Sequence, residues 1–470
     1  MIDWTMKTLT KVIGAGCLVF GLLQLIRPGI PDKPAMAELQ APPEVRQMLA
    51  KDCYSCHSDQ RRLSWFDEIV PAYWLVRHDV LTARERLDFS TLGSRPAAAQ
   101  RATLFEAVNM IQLGAMPLPQ FVALHPEAKV TPEELATLKA YLAPWSTGPN
   151  LPAVSGLPLS SRQPALALTP PPAPSLPSLA AVAAEPNGFL FDSSFEGWKL
   201  ISTTDRGDNN TFRFILGNDV AVKAAQDGNI TPWPDGTRFA KIAWQQESGS
   251  DGLLHPGKFI QVELMLKSAQ HSKSTEGWGW GRWRGMELKP YGANAGFVNE
   301  CTGCHEPMHG NDFVYTLPIA VAKNVRDDIL NNAAAALPAG LPYQPLMWNP
   351  IAMYVDPKTH TTATLFGNDV AMQAARLRGG PAGGIANAPK YSPGSVLALV
   401  TWAQRDDPHW FGARIPDVPL SVEFVQISKD EEGDSYRVFA GTGLIEKHVA
   451  PSESEERIRF ILELIPVQLP

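Results

Sequence analysis

Cysteine is scarce in this chain, with five in 470 residues. So few thiols exclude a disulfide-stapled scaffold and make the position of each one informative. A surplus of positive charge is missing as well. The formal net charge is −7 and the pI about 5.8, which argues against nucleic acid as a partner, because a phosphate backbone calls for a basic patch. Residues 144–186 lack hydrophobic periodicity of either kind. They are rich in Pro, Ala, Leu and Ser, with Pro170-Pro171-Pro172 followed by Pro174 and Pro177, and read as a semi-rigid, partly polyproline tether. What the chain does have is an ordinary hydrophobic content of 44%. That is enough for cores without covalent staples, and the length suits about three domains.

Four of the five cysteines fall in two copies of one pattern, Cys53-Tyr54-Ser55-Cys56-His57 and Cys301-Thr302-Gly303-Cys304-His305. Two cysteines two residues apart with an immediate histidine are what covalent haem c attachment requires. The thiols add to the two vinyl groups, and the histidine swings under the iron as proximal ligand. The bland readings are a structural disulfide or a zinc half-site. Two complete copies make coincidence poor, and zinc would want a second pair. Two covalently bound haem c groups are therefore expected, with His57 and His305 on iron.

Covalent haem attachment takes place outside the cytoplasm, in the bacterial periplasm or an equivalent space, so an export segment is expected in residues 1–39. Lys7 and Lys11 precede an apolar run over 12–26, broken only by Gln24 and closed by Arg27-Pro28. The fifth cysteine, Cys17, lies in it. Ala35-Met36-Ala37 offers a cleavage site, but rather far from the run. The expectation is an anchor in the inner membrane with the rest of the chain on the periplasmic side, the alternative being export after cleavage.

Residues 40–143 read as a small all-α unit. Trp65, Phe66, Tyr73 and Trp74 supply aromatic mass, and Thr131-Pro132-Glu133-Glu134 is a capping box opening a helix faced by Leu135, Leu138 and Leu142. Gly114-Ala115-Met116-Pro117-Leu118-Pro119 is a rigid loop with one thioether. Met116 opposite His57 would fill both axial positions, a low-spin electron-transfer arrangement. The rival ligands are His78 and His125, and a core role is the bland alternative for Met116. The run Asp52 to Ser58, then Pro71-Ala72-Tyr73-Trp74-Leu75-Val76, Leu87-Asp88-Phe89-Ser90 and Gly114-Ala115-Met116-Pro117 resembles the bacterial haem-binding domain family of small c-type cytochromes. That resemblance implies a haem carrier and no substrate.

Residues 187–341 alternate as strands do. From Lys258 to Lys267, Ile260, Val262, Leu264 and Leu266 share one face, and Gln261, Glu263 and Met265 share the other. A second strand after Pro234-Asp235-Gly236 puts Phe239, Lys241 and Ala243 on one face, and Trp278, Trp280 and Trp283 add aromatic surface. The second haem should sit against this antiparallel sheet. Asp235-Gly236-Thr237 with Lys241, Val262-Glu263-Leu264, and Cys301 to His305 followed by Asn311-Asp312-Phe313-Val314-Tyr315-Thr316 resemble the cytochrome P-460 family. The resemblance implies that Lys241 bonds to a porphyrin meso carbon and that Glu263 is the distal proton acceptor. Known members oxidise hydroxylamine, and relatives without the crosslink, the cytochromes c′-beta, bind nitric oxide. The bland readings are an exposed strand lysine and an exposed strand glutamate; His309 is a further candidate distal ligand.

Residues 342–470 repeat the preceding unit. Gly217-Asn218-Asp219-Val220-Ala221 recurs at 367–371, the strand 236–246 recurs at 394–404, and Val262-Glu263 recurs as Val422-Glu423. Lys241 becomes Leu399 and no haem motif follows. A degenerate, haem-less second copy is expected, paired with the first as an intrachain pseudo-dimer.

The fold class expected is thus multidomain, a small all-α cytochrome c-like domain followed by two α+β domains on antiparallel sheets. The function expected is a di-haem c-type oxidoreductase acting on a small nitrogen compound and passing electrons to a cytochrome or membrane acceptor. The competing reading is a non-catalytic nitric-oxide-binding or electron-transfer subunit. A redox or gas sensor lacks support, since no signalling domain follows.

Overall fold

The computed structural model describes residues 2–60, 62–146, 179, 182–319, 330–378, 390–428 and 433–470. The expected tether over 144–186 lies almost wholly outside them. The chain divides into two compact units, Met1–Pro144 and Trp145–Pro470.

The first unit opens with α1, Ile2–Leu23. Val12, Ile13, Leu18, Val19 and Phe20 stand exposed on it. Among the described residues no helix is long and apolar enough to cross a membrane. The chain after α1 is stitched to the rest of the unit. Gln24 exchanges two hydrogen bonds with the Val70 backbone (3.1 and 3.0 Å), Tyr73 Oη donates to Pro28 O (2.6 Å), and Trp74 Nε1 donates to Ile26 O (2.8 Å). The Met36 and Ala37 amides both donate to Ser90 O. Helices α2 (Pro43–Asp52), α3 (Tyr54–His57), α4 (Ala72–Arg86), α5 (Ala97–Gln112), α6 (Pro119–Leu124) and α7 (Pro132–Ser146) follow. The capping box forms as expected, with Thr131 N donating to Glu134 Oε2 (2.8 Å) and Glu134 N to Thr131 Oγ1 (3.2 Å). Leu138 and Leu142 are fully buried.

The second unit is built twice from one plan. In the first copy β1 (Lys199–Arg206), β2 (Thr211–Gly217), α8 (Asp219–Asp227), β3 (Arg238–Ser248), β4 (Leu254–Lys267), β5 (Trp278–Arg284) and β6 (Lys289–Pro290) precede α9 (Val298–His305). In the second, β7 (Asn349–Asp356), β8 (Thr361–Gly367), α10 (Asp369–Arg378), β9 (Val396–Asp406), β10 (Ala413–Gln426), β11 (Ser435–Ala440) and β12 (Ile445–Lys447) precede α11 (Pro451–Glu463). The first, second, third and fourth strands of the two copies have equal lengths of 8, 7, 11 and 14 residues.

The repeated Gly-Asn-Asp motif has a mechanical reason. Asn218 Oδ1 accepts from Ala221 N (3.1 Å), capping α8, and from Arg238 N (3.1 Å), while its Nδ2 donates to Gly236 O (2.9 Å). Asn368 makes the same three bonds to Ala371, Val396 and Gly394. One side chain thus caps a helix and pins the start of the next strand. The preceding glycine is steric. A Cβ on Gly217 would stand 2.7 Å from the Ile201 side chain and 2.8 Å from the Ala221 Cβ, and Gly367 meets Ile351 and Ala371 in the same way.

The pairing expected of the repeat takes the form of a closed ring. The antiparallel order β1-β2-β3-β4-β7-β8-β9-β10 returns from β10 to β1, with β5–β6 and β11–β12 branching off. Closure leaves no bare edge between the copies. Leu254 pairs with Val355 at one junction, and Asp205 and Arg206 pair with Arg414 and Ala413 at the other. Near that second junction Gln246 and Gln404, equivalent residues of the two copies, both donate to the buried Asp205 carboxylate at 2.6 and 3.0 Å.

Strand alternation then sorts the side chains. Ala240, Ile242, Trp244, Val262, Leu264, Ala398, Val400, Trp402, Val422 and Phe424 fill one interior common to both copies. The outward faces are separate. On copy 1, Ile215, Phe239, Trp278 and Trp280 pack with Cys301, Phe313 and Val314; on copy 2, Leu397 and Leu399 pack with Val425, Ile461 and Leu464. The three tryptophans expected to supply aromatic surface are buried at 0, 4 and 0% exposure. Trp283 belongs to the common interior, because β5 extends the alternating sheet.

Candidate haem sites

In the first unit, the turn joining α2 to α3 carries Cys53, and α3 carries Cys56 and His57. His57 Nδ1 donates to Leu87 O (2.9 Å), which leaves Nε2 as the free lone pair. Phe89 N donates back to His57 O (2.8 Å), and the Phe89 ring stacks on Tyr54 at 5.3 Å. Burial pushes the Cys53 and Cys56 thiols up to about 12 and about 11 and lowers His57, so all three are neutral at ordinary pH. Of Trp65, Phe66, Tyr73 and Trp74 only Tyr73 is buried; Trp65 is 77% exposed. Met116 lies half-buried between α5 and α6, its amide donating to Met110 O (3.1 Å). His78 is exposed. His125 is buried, bonded to Asp67 at 3.0 Å and stacked on Phe66 and Phe121, the arrangement of a structural histidine.

On copy 1, strand register brings the expected residues together. Lys241 on β3 faces Glu263 on β4, which faces Arg282 on β5. Lys241 Nζ lies 2.5 Å from Glu263 Oε2, Arg282 Nε lies 3.5 Å from Oε1, and Gln261 donates to the same carboxylate. The two side chains of the pair are 29% and 16% exposed, so they line the open outer face rather than the interior. Burial raises the Glu263 carboxyl, but Lys241 first, then Arg282 and Arg213, more than offset it and hold it at about 2. Burial pulls Lys241 down to about 8 against the attraction of Glu263. The two shifts act on stability with opposite signs, so the pair adds little net stability and its value is chemical.

Helix α9, which carries the second cysteine motif, lies against this face. His305 Nδ1 donates to Phe313 O (2.7 Å), which again leaves Nε2 free. The segment after the motif exists to aim that carbonyl. Asp312 and Phe313 take positive φ of 48° and 65°, a left-handed turn that is costly for side-chain-bearing residues. Asp312 is held there by Lys267 Nζ (2.6 Å), Trp233 N (2.8 Å) and, through its own carbonyl, Trp278 Nε1 (3.0 Å). Trp280 packs on the His305 ring at 4.5 Å. His309 is exposed and bonded to Glu306 O, on the same segment as His305.

The residues present fit haem. Neither cysteine pair is joined by a disulfide, and each motif histidine has its outer nitrogen anchored. Arg213 Nε and Trp280 Nε1 are buried without a hydrogen-bond partner in the protein. Three cations surround one carboxylate, a surplus of positive charge that suits propionates. Among the described residues no group of three His, Cys, Asp or Glu stands together to hold a metal ion by itself, so a zinc half-site lacks its ligand set.

Burial lowers His305 to about 4. Its folded value lies below the unfolded value of about 6.5, so the unfolded chain binds the extra proton between those values. Stability is therefore complete above pH 6.5 and is lost as pH falls toward 4. In the haem-free chain, His305→Gln should flatten that part of a melting-temperature profile against pH; parallel profiles would show that the imidazole is not buried as described.

The sites define a haem cytochrome. Residues 18–144 match the model of the Haem-binding domain family and residues 193–316 that of Cytochrome P460, so the chain carries those two domains in that order. The second match covers copy 1 and stops before copy 2. No curated protein matches the chain.

Arg213 and Arg282 escaped the sequence reading, because a lone strand arginine reads as a solvated face. A signal existed: the alternation that puts Lys241 and Glu263 on one face also carries Gln261 and Met265, and it carries Arg282 on β5 directly opposite Glu263 and Arg213 on β2 opposite Ala243, two residues along from Lys241.

Proposed function

We propose that the protein oxidises a small nitrogen compound of the hydroxylamine type at the haem of copy 1 and passes the electrons onward through the haem of the first unit. A haem bound there supplies a coordination position for the nitrogen ligand and accepts its electrons. Glu263, ionised across the working range, takes the protons released as electrons leave. Arg282 and Gln261 hold its carboxylate in place, Arg213 adds positive charge nearby, and before any crosslink forms the protonated Lys241 balances its charge. Lys241, whose amine burial draws toward the neutral form, would supply the nitrogen of a crosslink in which an N–C bond replaces one N–H and one porphyrin C–H bond, the two electrons going to an external oxidant. The observation that carries this reading is the Lys241–Glu263 pair on the outer face that α9 covers.

His57, with Met116 as proposed sixth ligand, makes the first haem an electron carrier, and a cytochrome or membrane acceptor is the proposed redox partner. We place the protein on the periplasmic side of the inner membrane, where covalent attachment takes place, held there by residues 1–39. The bonds from Gln24 to Ala37 into the first unit support retention of that segment. A second reading, nitric oxide binding or electron transfer without catalysis, draws on the same pair. A lysine engaged with a carboxylate at 2.5 Å is stable without any crosslink.

Mass spectrometry of the haem-bearing peptides decides between the two. The Lys241 peptide is expected to travel with haem and with the Cys301–Cys304 peptide. Haem carried by the cysteine peptide alone overturns the oxidase reading in favour of ligand binding.

A further inference from the structure

We propose that the haem-less copy is retained because its β9–β10 loop, residues 407–412, positions the proximal histidine of the other copy. This rests on the haem reading of Cys301 to His305 and extends it to residues outside the matched domain. The contact runs through Tyr315. The Tyr315 ring meets the His305 ring edge-on at 5.2 Å, and its hydroxyl donates to Cys304 O (2.7 Å). Behind Tyr315 stands copy 2. His409 Nδ1 donates to Tyr315 O (2.6 Å), and the Trp410 ring packs edge-on against the Tyr315 ring at 5.5 Å. His305 is thus held at Nδ1 by Phe313 and on its ring by Trp280 and Tyr315, and Tyr315 is backed by the loop.

The loop is itself firmly placed. Trp410 Nε1 donates to Asp208 Oδ2 (3.3 Å), and the Arg206 guanidinium lies 4.3 Å over the Trp410 ring. Arg206 Nε donates to Asp208 Oδ1 (2.6 Å), and Asp208 N donates to Gly412 O (3.2 Å). His409 N donates to Asp407 Oδ1 (2.8 Å). Arg206 and Asp208 belong to copy 1, so the second copy grips the turn after β1 and from there reaches the haem helix.

The reciprocal loop gives an internal comparison. Pseudo-symmetry sends residues 249–253 of copy 1 to the junction with copy 2, beside Lys358 and Val355. That loop reads Gly249-Ser250-Asp251-Gly252-Leu253, with no aromatic ring and no histidine, whereas the loop facing the haem-bearing half reads Asp407-Pro408-His409-Trp410-Phe411-Gly412. Barrel closure alone asks for the same loop at both junctions. Only the haem-facing loop carries rings and an imidazole within it; at the other junction the imidazole is His255 on β4, bonded to Asp251 and 6.2 Å from the Tyr354 ring.

His409 and Trp410 are positioning residues. Their recorded contact on this side is with Tyr315, and they act by fixing the His305 plane, as outer-shell partners of metal ligands do. The full di-haem chain is the material for the test, in parent, His409→Ala, Trp410→Ala and Trp410→Phe forms. The reporter is the iron–histidine stretching band of the ferrous protein in resonance Raman, which a five-coordinate haem shows and a His/Met haem does not.

The alanine variants should shift and broaden that band and lower turnover on the order of tenfold, at unchanged covalent haem content, while Trp410→Phe returns the band to its parent position. A parent-like band in both alanine variants overturns the proposal, as does a change that simply follows loss of the barrel's melting transition. Should Trp410→Ala fail to fold, His409→Ala and Trp410→Phe carry the same decision. Absence of haem from the Cys301–Cys304 peptide in the parent would be a different failure, that of the haem reading itself, and peptide mass reports it separately.

Discussion

On the proposed function, Glu263→Gln should lower turnover of hydroxylamine on the order of 10²-fold or more, the usual worth of a positioned proton acceptor, with covalent haem content unchanged from the parent. The amide keeps the size of the carboxylate and can still accept from Lys241, which lies at 2.5 Å. What it loses is the ability to take a proton. Because Lys241, Arg282 and Arg213 together hold Glu263 at about 2, the carboxylate is ionised at any working pH. Its contribution should therefore show in kcat rather than as a titration near neutrality. Nitric oxide binding, which asks for no proton transfer, should be nearly unchanged. Steady-state kinetics beside ligand titration check both statements. Equal turnover in the variant would remove Glu263 from the chemistry and leave the ion pair as a structural feature.

How far such a site can be read beforehand depends on the range of the interactions that make it. The two haem motifs are local, and their cysteine spacing carries the chemistry by itself. Lys241 and Glu263 were legible because each sits on a strand with clean alternation, so the face of each side chain follows from the period. Their direct opposition needs the register, which the turn between β3 and β4 sets and the sequence does not display. Closure of the barrel was not legible, since Asp205 and Arg206 pair with Arg414 and Ala413 across the whole repeat with no pattern to announce it. The same is true of His409 on Tyr315, 94 positions away. The repeat itself was visible because Asn218 and Asn368 do identical work in both copies. Glu423 was legible as the counterpart of Glu263, but its partner Arg457, 34 positions downstream on α11, was beyond the reach of strand periodicity.

That partner leads to the second large effect. In copy 2 Leu399 stands where Lys241 stands in copy 1, facing Glu423 across the strands, and no haem covers the face. Helix α11 covers it instead, burying Ile461 and Leu464 and sending Arg457 onto Glu423 with two parallel bonds of 2.8 and 2.7 Å. Tyr436 Oη adds a third at 2.6 Å. The Glu423 side chain keeps only 7% of its exposure. Arg457→Ala should therefore destabilise the second unit by on the order of 3 kcal/mol, the cost of leaving a buried carboxylate without its cation. That corresponds to a fall in melting temperature of roughly 6 °C for a unit of this size. Removing both charges tests the cause. Glu423→Gln with Arg457→Met should recover most of the loss, because an apolar replacement of a buried pair is often close to neutral, and the double-mutant cycle isolates the coupling. Covalent haem on the Cys301–Cys304 peptide should be the same in all of these variants, since α11 covers only the haem-less face. A loss below about 1 kcal/mol, the range of exposed ion pairs, would mean that solvent reaches Glu423 and that α11 covers the face loosely.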